Sequence, residues 1–240
     1  MTRDKVLVLF NNIEDFNLKQ SIIKQIFGVD YSSTILKGLY WKTKYYEVPY
    51  DIYIDNCQDL AEWLEDFSDS SCDELREVLG GVIIIDHKNR SPNPDLIQQL
   101  ERLCNHILTE DTFCVFFNHN EELSDFELES FEDITVELAA NGRVVPEIVC
   151  LRSPNEGDRA GIDRVKEIMD IHPWDALKYI SETDTTQARN DPGTTNLGTL
   201  MEYLDEAKSQ VQRLREAGDT KAAEQLARET ANKFTNQLFD

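Results

Sequence analysis

Glycine is scarce in this chain, ten residues in 240, and none occurs before Gly28. The scarcity matters most just after residues 5–10, Lys-Val-Leu-Val-Leu-Phe, a short apolar run of the kind that opens an α/β domain as a buried parallel strand. The loop that follows, residues 11–21, reads Asn-Asn-Ile-Glu-Asp-Phe-Asn-Leu-Lys-Gln-Ser. A phosphate-cradling loop needs glycines so that backbone amides can converge on the anion. It also needs a lysine followed by Ser or Thr for the terminal phosphates and Mg²⁺. Here Glu14 and Asp15 bring adjacent carboxylates instead, and Lys19 is followed by Gln20. The pattern describes an ordinary strand-to-helix loop with Asp15 or Asn17 as the helix N-cap.

Positive charge is also in short supply: 24 Lys and Arg stand against 46 Asp and Glu, for a net charge of −22. Binding to nucleic acid or anionic membrane needs clustered cations, so neither is expected as a main activity. No Lys or Arg occurs in residues 51–75 or in residues 121–137, and such stretches favour basic partners. The cysteines Cys57, Cys72, Cys104, Cys114 and Cys150 are odd in number and widely spaced. They read as reduced thiols rather than a disulfide framework or a metal site. No apolar run approaches the length of a membrane span, and residues 1–5 lead directly into a core strand without a secretory signal. A cytoplasmic protein with no membrane insertion is expected.

What the chain does contain is alternating strands and helices. Leu18, Ile22, Ile23, Ile26 and Phe27 share one helical face, which Gly28 can end. A β segment over residues 33–40 and a polar turn at 42–44 precede residues 45–55. There Tyr46, Val48, Tyr50, Ile52 and Ile54 alternate with polar positions, as in a hairpin at the side of a sheet, with Pro49 at an edge or bulge. Helical spacing returns at Leu60, Trp63, Leu64 and Phe67, and again over residues 72–79, where Gly80 and Gly81 are read as the stop. Residues 82–85 form a continuously apolar strand. Pro94 and Asp95 start a helix carrying Leu96, Ile97, Leu100, Leu103, Cys104 and Ile107. A strand at 113–117, an acidic helix around 124–131, a strand at 147–151 and a helix carrying Ile162, Val165, Ile168 and Met169 complete the series, with a stop near His172 and Pro173.

This series predicts an open, mostly parallel six-stranded sheet with helices on both faces, whose ligands would sit at the carboxyl ends of the strands. The element order is also that of a small G protein. By that analogy the Asp-x-x-Gly after the third strand falls at Asp55-Asn56-Cys57-Gln58, without its glycine. The guanine-reading Asn-Lys-x-Asp falls at Asn118-His119-Asn120-Glu121, without its lysine. The latter tetrad reads equally as a relic and as a strand-end turn satisfied by Asn side chains. Asp55, Asn118 and Glu121 are the polar side chains such a vacated pocket would keep. None of the four histidines pairs with a nucleophile at a recognised spacing.

Residues 181–196 lack any large apolar side chain and read as a flexible linker between a domain over 1–180 and a helical module over 197–240. That module carries two apolar stripes: Leu197, Leu200, Met201, Leu204, Ala207, Val211 and Leu214, then Leu226, Phe234 and Leu238 after a break at Gly218. They describe a C-terminal helical hairpin too small to bury both stripes alone. The stripes serve equally for internal or self pairing and for a partner.

The run Trp41, Tyr45, Tyr46, Val48, Tyr50, Asp51, Tyr53, Ile54, Asp55, Cys57 and Asp59, with Trp63 and Glu65-Asp66-Phe67 after it, resembles the α- and γ-adaptin-binding protein family. Its fungal branch is the increased recombination centers proteins. Gly81-Val82-Ile83, Asn118-x-Asn120-Glu121-Glu122 and the stretch from Gly161 to Trp174 agree with it. The resemblance covers nearly all of the first domain and, more weakly, the C-terminal helices. It implies a small-GTPase-like domain without nucleotide binding, plus a helical module. It further implies a non-enzymatic accessory factor or assembly chaperone for clathrin adaptor complexes in vesicle traffic, with Rab-type GTPases as further partners.

On that expectation there are no catalytic residues, cofactor or metal. Leu200, Met201, Leu204, Val211, Leu214, Leu226, Phe234 and Leu238 become the partner contacts, with adaptor subunits as the partners. The alternatives are an effector of a Rab GTPase and an unconventional nucleotide-binding GTPase. Asp125-Phe126 and Phe131-Glu132-Asp133-Ile134 also resemble the acidic-aromatic peptides that adaptor ear domains bind. Both lie in a helix whose phenylalanines are expected to pack inward.

Overall fold

A computed structural model describes residues 2–109, 111–141, 145–153 and 159–180. The chain divides into two compact units, Met1–Thr43 with Val48–Leu177, and Lys44–Glu47 with Lys178–Asp240. The proposed linker over 181–196 and every apolar contact residue from Leu200 to Leu238 lie outside the described residues.

The sheet of the first unit runs β2 (Ile35–Lys42), β3 (Tyr46–Cys57), β1 (Lys5–Asn11), β4 (Leu79–Asp86), β5 (Phe113–Asn118), β6 (Glu147–Cys150) in spatial order. β1 lies between β3 and β4 and is parallel to both, and the β4–β5 and β5–β6 pairs are parallel too. A mostly parallel sheet is what the apolar runs predict. β1 pairs with β3 only from Asp51 onward, so Pro49 stands where the parallel ladder has not begun and its missing N–H costs no bond there.

α1 (Phe16–Phe27) is capped by Asp15, whose carboxylate accepts from the N–H groups of Asn17 (2.8 Å) and Leu18 (3.3 Å). Gly28, at φ 72°, ends it with an N–H bond to the Lys24 carbonyl. α2 (Leu60–Ser68), α4 (Pro94–Arg102) and α5 (Asp125–Asn141) bury Leu64, Phe67, Leu100, Leu128 and Phe131 against Leu7, Leu9, Val82, Ile84 and Phe116 on one face of the sheet. α1 meets α6 (Gly161–Ile171), which packs against β5 and β6.

Several boundaries differ from the sequence reading. α3 (Asp73–Val78) ends before the glycines, and Gly80 and Gly81 are buried inside β4. They serve close approach rather than chain reversal: a Cβ on Gly81 would lie 2.0 Å from the Phe113 ring, and one on Gly80 would lie 2.9 Å from both the Arg3 carbonyl and the Trp174 ring. The acidic helix α5 runs to Asn141, whereas the helix at Leu96 reaches Ile107 as expected, its last turn, Leu103–Ile107, being π-helical. In β2, Gly38 at φ 68° breaks the alternation, so that Leu36 and Trp41, five positions apart, are both buried.

In the second unit a seventh, two-residue strand, β7 (Lys178–Tyr179), is added to the six expected. It pairs antiparallel with Tyr46 and Glu47. The Ile180 N–H donates to the Tyr45 carbonyl at 2.9 Å.

Candidate functional site

Strand register sets Cys57, Asn11, Asp86, Asn118 and Cys150 in one row across the carboxyl edge of the sheet, where an open α/β fold holds its ligands. Parallel partners in register share a face, and this row stands on the α2, α4 and α5 side. The Asn11 amide donates to Asp86 Oδ2 at 2.6 Å, and Asp86 Oδ1 accepts the N–H groups of Lys88 and Asn89, each at 2.9 Å. Asp86 is 1% exposed, so its charge is held by these three donors rather than by water. The Cys57 thiol donates to Asn11 Oδ1 at 3.4 Å. Burial, with Asp55, Asp86 and Asp59 nearby, pushes that thiol up to about 12, so it stays protonated and is no nucleophile.

The loop after β1 turns at Asn12, whose φ of 56° is one that Asn tolerates, and its N–H donates to the Cys57 carbonyl at 2.9 Å. The N–H groups of Asn17 and Leu18 are taken up by the Asp15 carboxylate. A phosphate entering here would meet the Asp86 carboxylate, and the amides of Lys88 and Asn89 are already spent on it. Lys19 is drawn aside to the Asn56 side chain, with its ammonium 5.5 Å from the centre of the Phe10 ring. Burial lowers its pKa.

The Asn118-His119-Asn120-Glu121 tetrad is a self-satisfied turn. The Asn118 amide donates to the Asn89 carbonyl (2.8 Å), its Oδ1 accepts the Asn120 N–H (3.2 Å), and Asn120 Oδ1 accepts the Glu122 N–H (2.9 Å). With Asn118 fully buried, no edge of its amide is offered to a base. The His119 N–H donates to the Asp86 carbonyl, and its ring stacks edge-on against Phe117 at 5.5 Å. Burial lowers its pKa, which keeps it neutral. Asp55, Asn118 and Glu121 do not form a common pocket: Asp55 and Asn118 are three strands apart, about 14 Å. Asp55 instead accepts from the Trp63 indole at 2.8 Å, and that indole stacks on Phe67. Among the described residues no three His, Cys, Asp or Glu side chains are placed to hold a metal ion.

A cavity of about 480 Å³ opens beside this row, between α5, β6 and α6. Leu128, Phe131 and Ile148 line it together with Arg152, Arg159 and Arg164. Each arginine is already matched: Arg152 to Asp125 (2.7 Å), Arg159 to Glu167 (3.0 Å), and Arg164 to Glu147 (3.0 Å) and Glu167 (2.9 Å).

The two phenylalanines expected to pack inward from α5 differ, and a third ring at the same end of the sheet is exposed as well. Phe131 packs inward, as its helix predicts, at 1% exposed, but Phe126 points into solvent at 77%. Phe16, the first residue of α1, is 56% exposed and stacks on Tyr31. The sequence carries the signal for Phe126: at 100° per residue it lies about 140° around α5 from Phe131. Among the described residues no helix is long and apolar enough to cross a membrane.

No protein-family model matches the chain. Increased recombination centers protein 6 of Vanderwaltozyma polyspora is 32% identical to it over 98% of this chain and 96% of that protein. The protein of the same name from Zygosaccharomyces rouxii is 29% identical over 98% and 94%, and that of Saccharomyces cerevisiae is 27% identical over 98% of each. The crystal structure of yeast Irc6p, described as a novel type of conserved clathrin accessory protein, matches with a TM-score of 0.63 and 29% identity over 75% of this chain and 97% of that one. An identity of 32% along almost the whole length, with the adaptin-binding resemblance of the aromatic hairpin pointing the same way, places this chain in the Increased recombination centers protein 6 family.

Proposed function

We propose that the chain is a non-enzymatic clathrin accessory factor: a G-protein-like domain without a nucleotide site, joined to C-terminal helices, that binds subunits of clathrin adaptor complexes and holds them during coat assembly. The observation that carries this reading is the match to yeast Irc6p, itself a clathrin accessory protein. The strand order β2-β3-β1-β4-β5-β6 supports the G-protein-like architecture. The closing of the carboxyl edge by Asn11 and Asp86 supports a binding role without nucleotide. On this reading the stripes Leu200, Met201, Leu204, Val211, Leu214 and Leu226, Phe234, Leu238 are the adaptor contacts, and the protein works in the cytoplasm.

The test is titration of the purified chain with individual large and small adaptor subunits by calorimetry. Saturable binding of at least one subunit is expected, and its loss on deleting the residues after Asp191. No binding of any subunit would sink the accessory role. Undiminished binding after the deletion would sink the assignment of the stripes as contacts.

A further inference from the structure

Phe126 is the most exposed large apolar side chain among the described residues, yet the backbone that carries it is tightly held. Ser124 and Glu127 form a reciprocal capping box: the Ser124 N–H donates to Glu127 Oε2 at 2.7 Å, and the Glu127 N–H donates to Ser124 Oγ at 3.3 Å. Arg90 grips Glu127 through Nε at 2.9 Å and also donates to the Glu122 carbonyl at 3.0 Å and the Glu122 carboxylate at 3.2 Å. Arg152 bridges the Asp125 carboxylate and the Leu123 carbonyl. Leu123 and Leu128, on either side of Phe126, are buried. The turn is therefore fixed while its one ring stands in water.

An exposed phenyl ring on an immobile turn is what a binding anchor requires. Its apolar area remains to be buried, and little conformational freedom is lost when that happens. The surroundings define the complement. Glu14, Asp15, Glu121, Glu122 and Asp125 are all exposed at this end of the sheet. They outnumber the exposed cations Lys88, Arg90 and Arg152, of which Arg90 pairs with Glu122 and Arg152 with Asp125. Phe16 is a second solvent-facing ring. We propose that the Phe126 turn anchors the carboxyl-end face of the sheet to a protein partner whose surface offers an apolar pocket rimmed by lysine or arginine side chains. The identity of that partner as an adaptor subunit rests on the function proposed above.

The experiment compares the full-length chain with Phe126→Ala and Phe126→Lys for binding to the purified adaptor subunits, at about 0.05 and 0.5 M salt. Because the ring contacts mostly solvent, both variants should melt like the parent. Phe126→Ala should weaken binding by about 30-fold, the scale of an interface hot spot, and Phe126→Lys should abolish it. Parent affinity should fall as salt rises. Binding by Phe126→Ala within twofold of the parent overturns the anchor and leaves the accessory role standing. Affinity that does not fall with salt overturns the basic rim. No binding by the parent chain to any subunit overturns both this inference and the accessory role.

Discussion

Asn11 and Asp86, 75 residues apart in sequence, are joined by a 2.6 Å amide-to-carboxylate bond at the point where two neighbouring parallel strands end. Replacing Asp86 by Ala strands the Asn11 amide and the N–H groups of Lys88 and Asn89. The cost is about 3 kcal/mol, since buried donors left without an acceptor cost more than the bonds contribute. Asp86→Asn keeps an oxygen for the two backbone donors and should cost about 1 kcal/mol. Urea denaturation should rank the parent above Asp86→Asn, and Asp86→Asn above Asp86→Ala.

The same bond bears on nucleotide. With a carboxylate where a phosphate would lie, GTP or GDP with Mg²⁺ should give neither heat in calorimetry nor a rise in melting temperature, at concentrations that detect a dissociation constant of about 1 mM. Saturable binding would make a nucleotide-controlled switch the leading reading instead.

Gly81 is predicted to be intolerant of a single methyl group. Its Cβ position lies against the Phe113 ring, which also packs edge-on against His172 at 5.0 Å and Trp174 at 6.0 Å, so making room means disturbing that aromatic cluster. Gly81→Ala should cost about 2 kcal/mol by overpacking. The cost should largely vanish when introduced into a Phe113→Ala background, a non-additivity readable from a double-mutant cycle.

His172 makes stability pH-dependent. Burial, only partly offset by Asp175 and Asp111, pushes its pKa down to about 4. The unfolded chain, with an ordinary imidazole near pH 6.5, therefore binds a proton that the folded chain refuses. Stability is full above that pH and is lost as pH falls from about 6.5 to about 4, by up to about 3 kcal/mol. A His172→Gln variant should show a flatter stability profile across that window. An identical profile would mean that other groups carry the pH dependence.

The residues that were legible in the sequence are those whose behaviour is local. Asp15 caps α1 because its carboxylate reaches its own helix, and Val82 to Ile85 announce a strand buried on both faces by unbroken hydrophobicity. Gly80 and Gly81 were illegible because their reason lies far along the chain, in Phe113 and Trp174. Asp86 looks like a polar residue ending an apolar strand, and only the register with β1 shows that Asn11 waits beside it. The sequence Asp86-His87-Lys88-Asn89 did hold a clue, since Asp followed by polar residues favours a turn onto its own carboxylate. Phe126 is expected inward when its amphipathic helix is read as a whole, although its angular position on α5 sets it apart from Phe131.

The central position of β1 has a consequence for biosynthesis. β1 leaves the ribosome before both of its partners, and its neighbour β4 ends only at Asp86. At ribosomal rates of 5–20 residues per second, the interval between Asn11 and Asp86 lasts roughly 4 to 15 s. Throughout that time at least one edge of this apolar segment is unpaired in the nascent chain, and until β3 has been made both are. A protein proposed to shelter other proteins' unassembled subunits thus passes through its own vulnerable interval, and its yield in cells should depend on early capture by general chaperones.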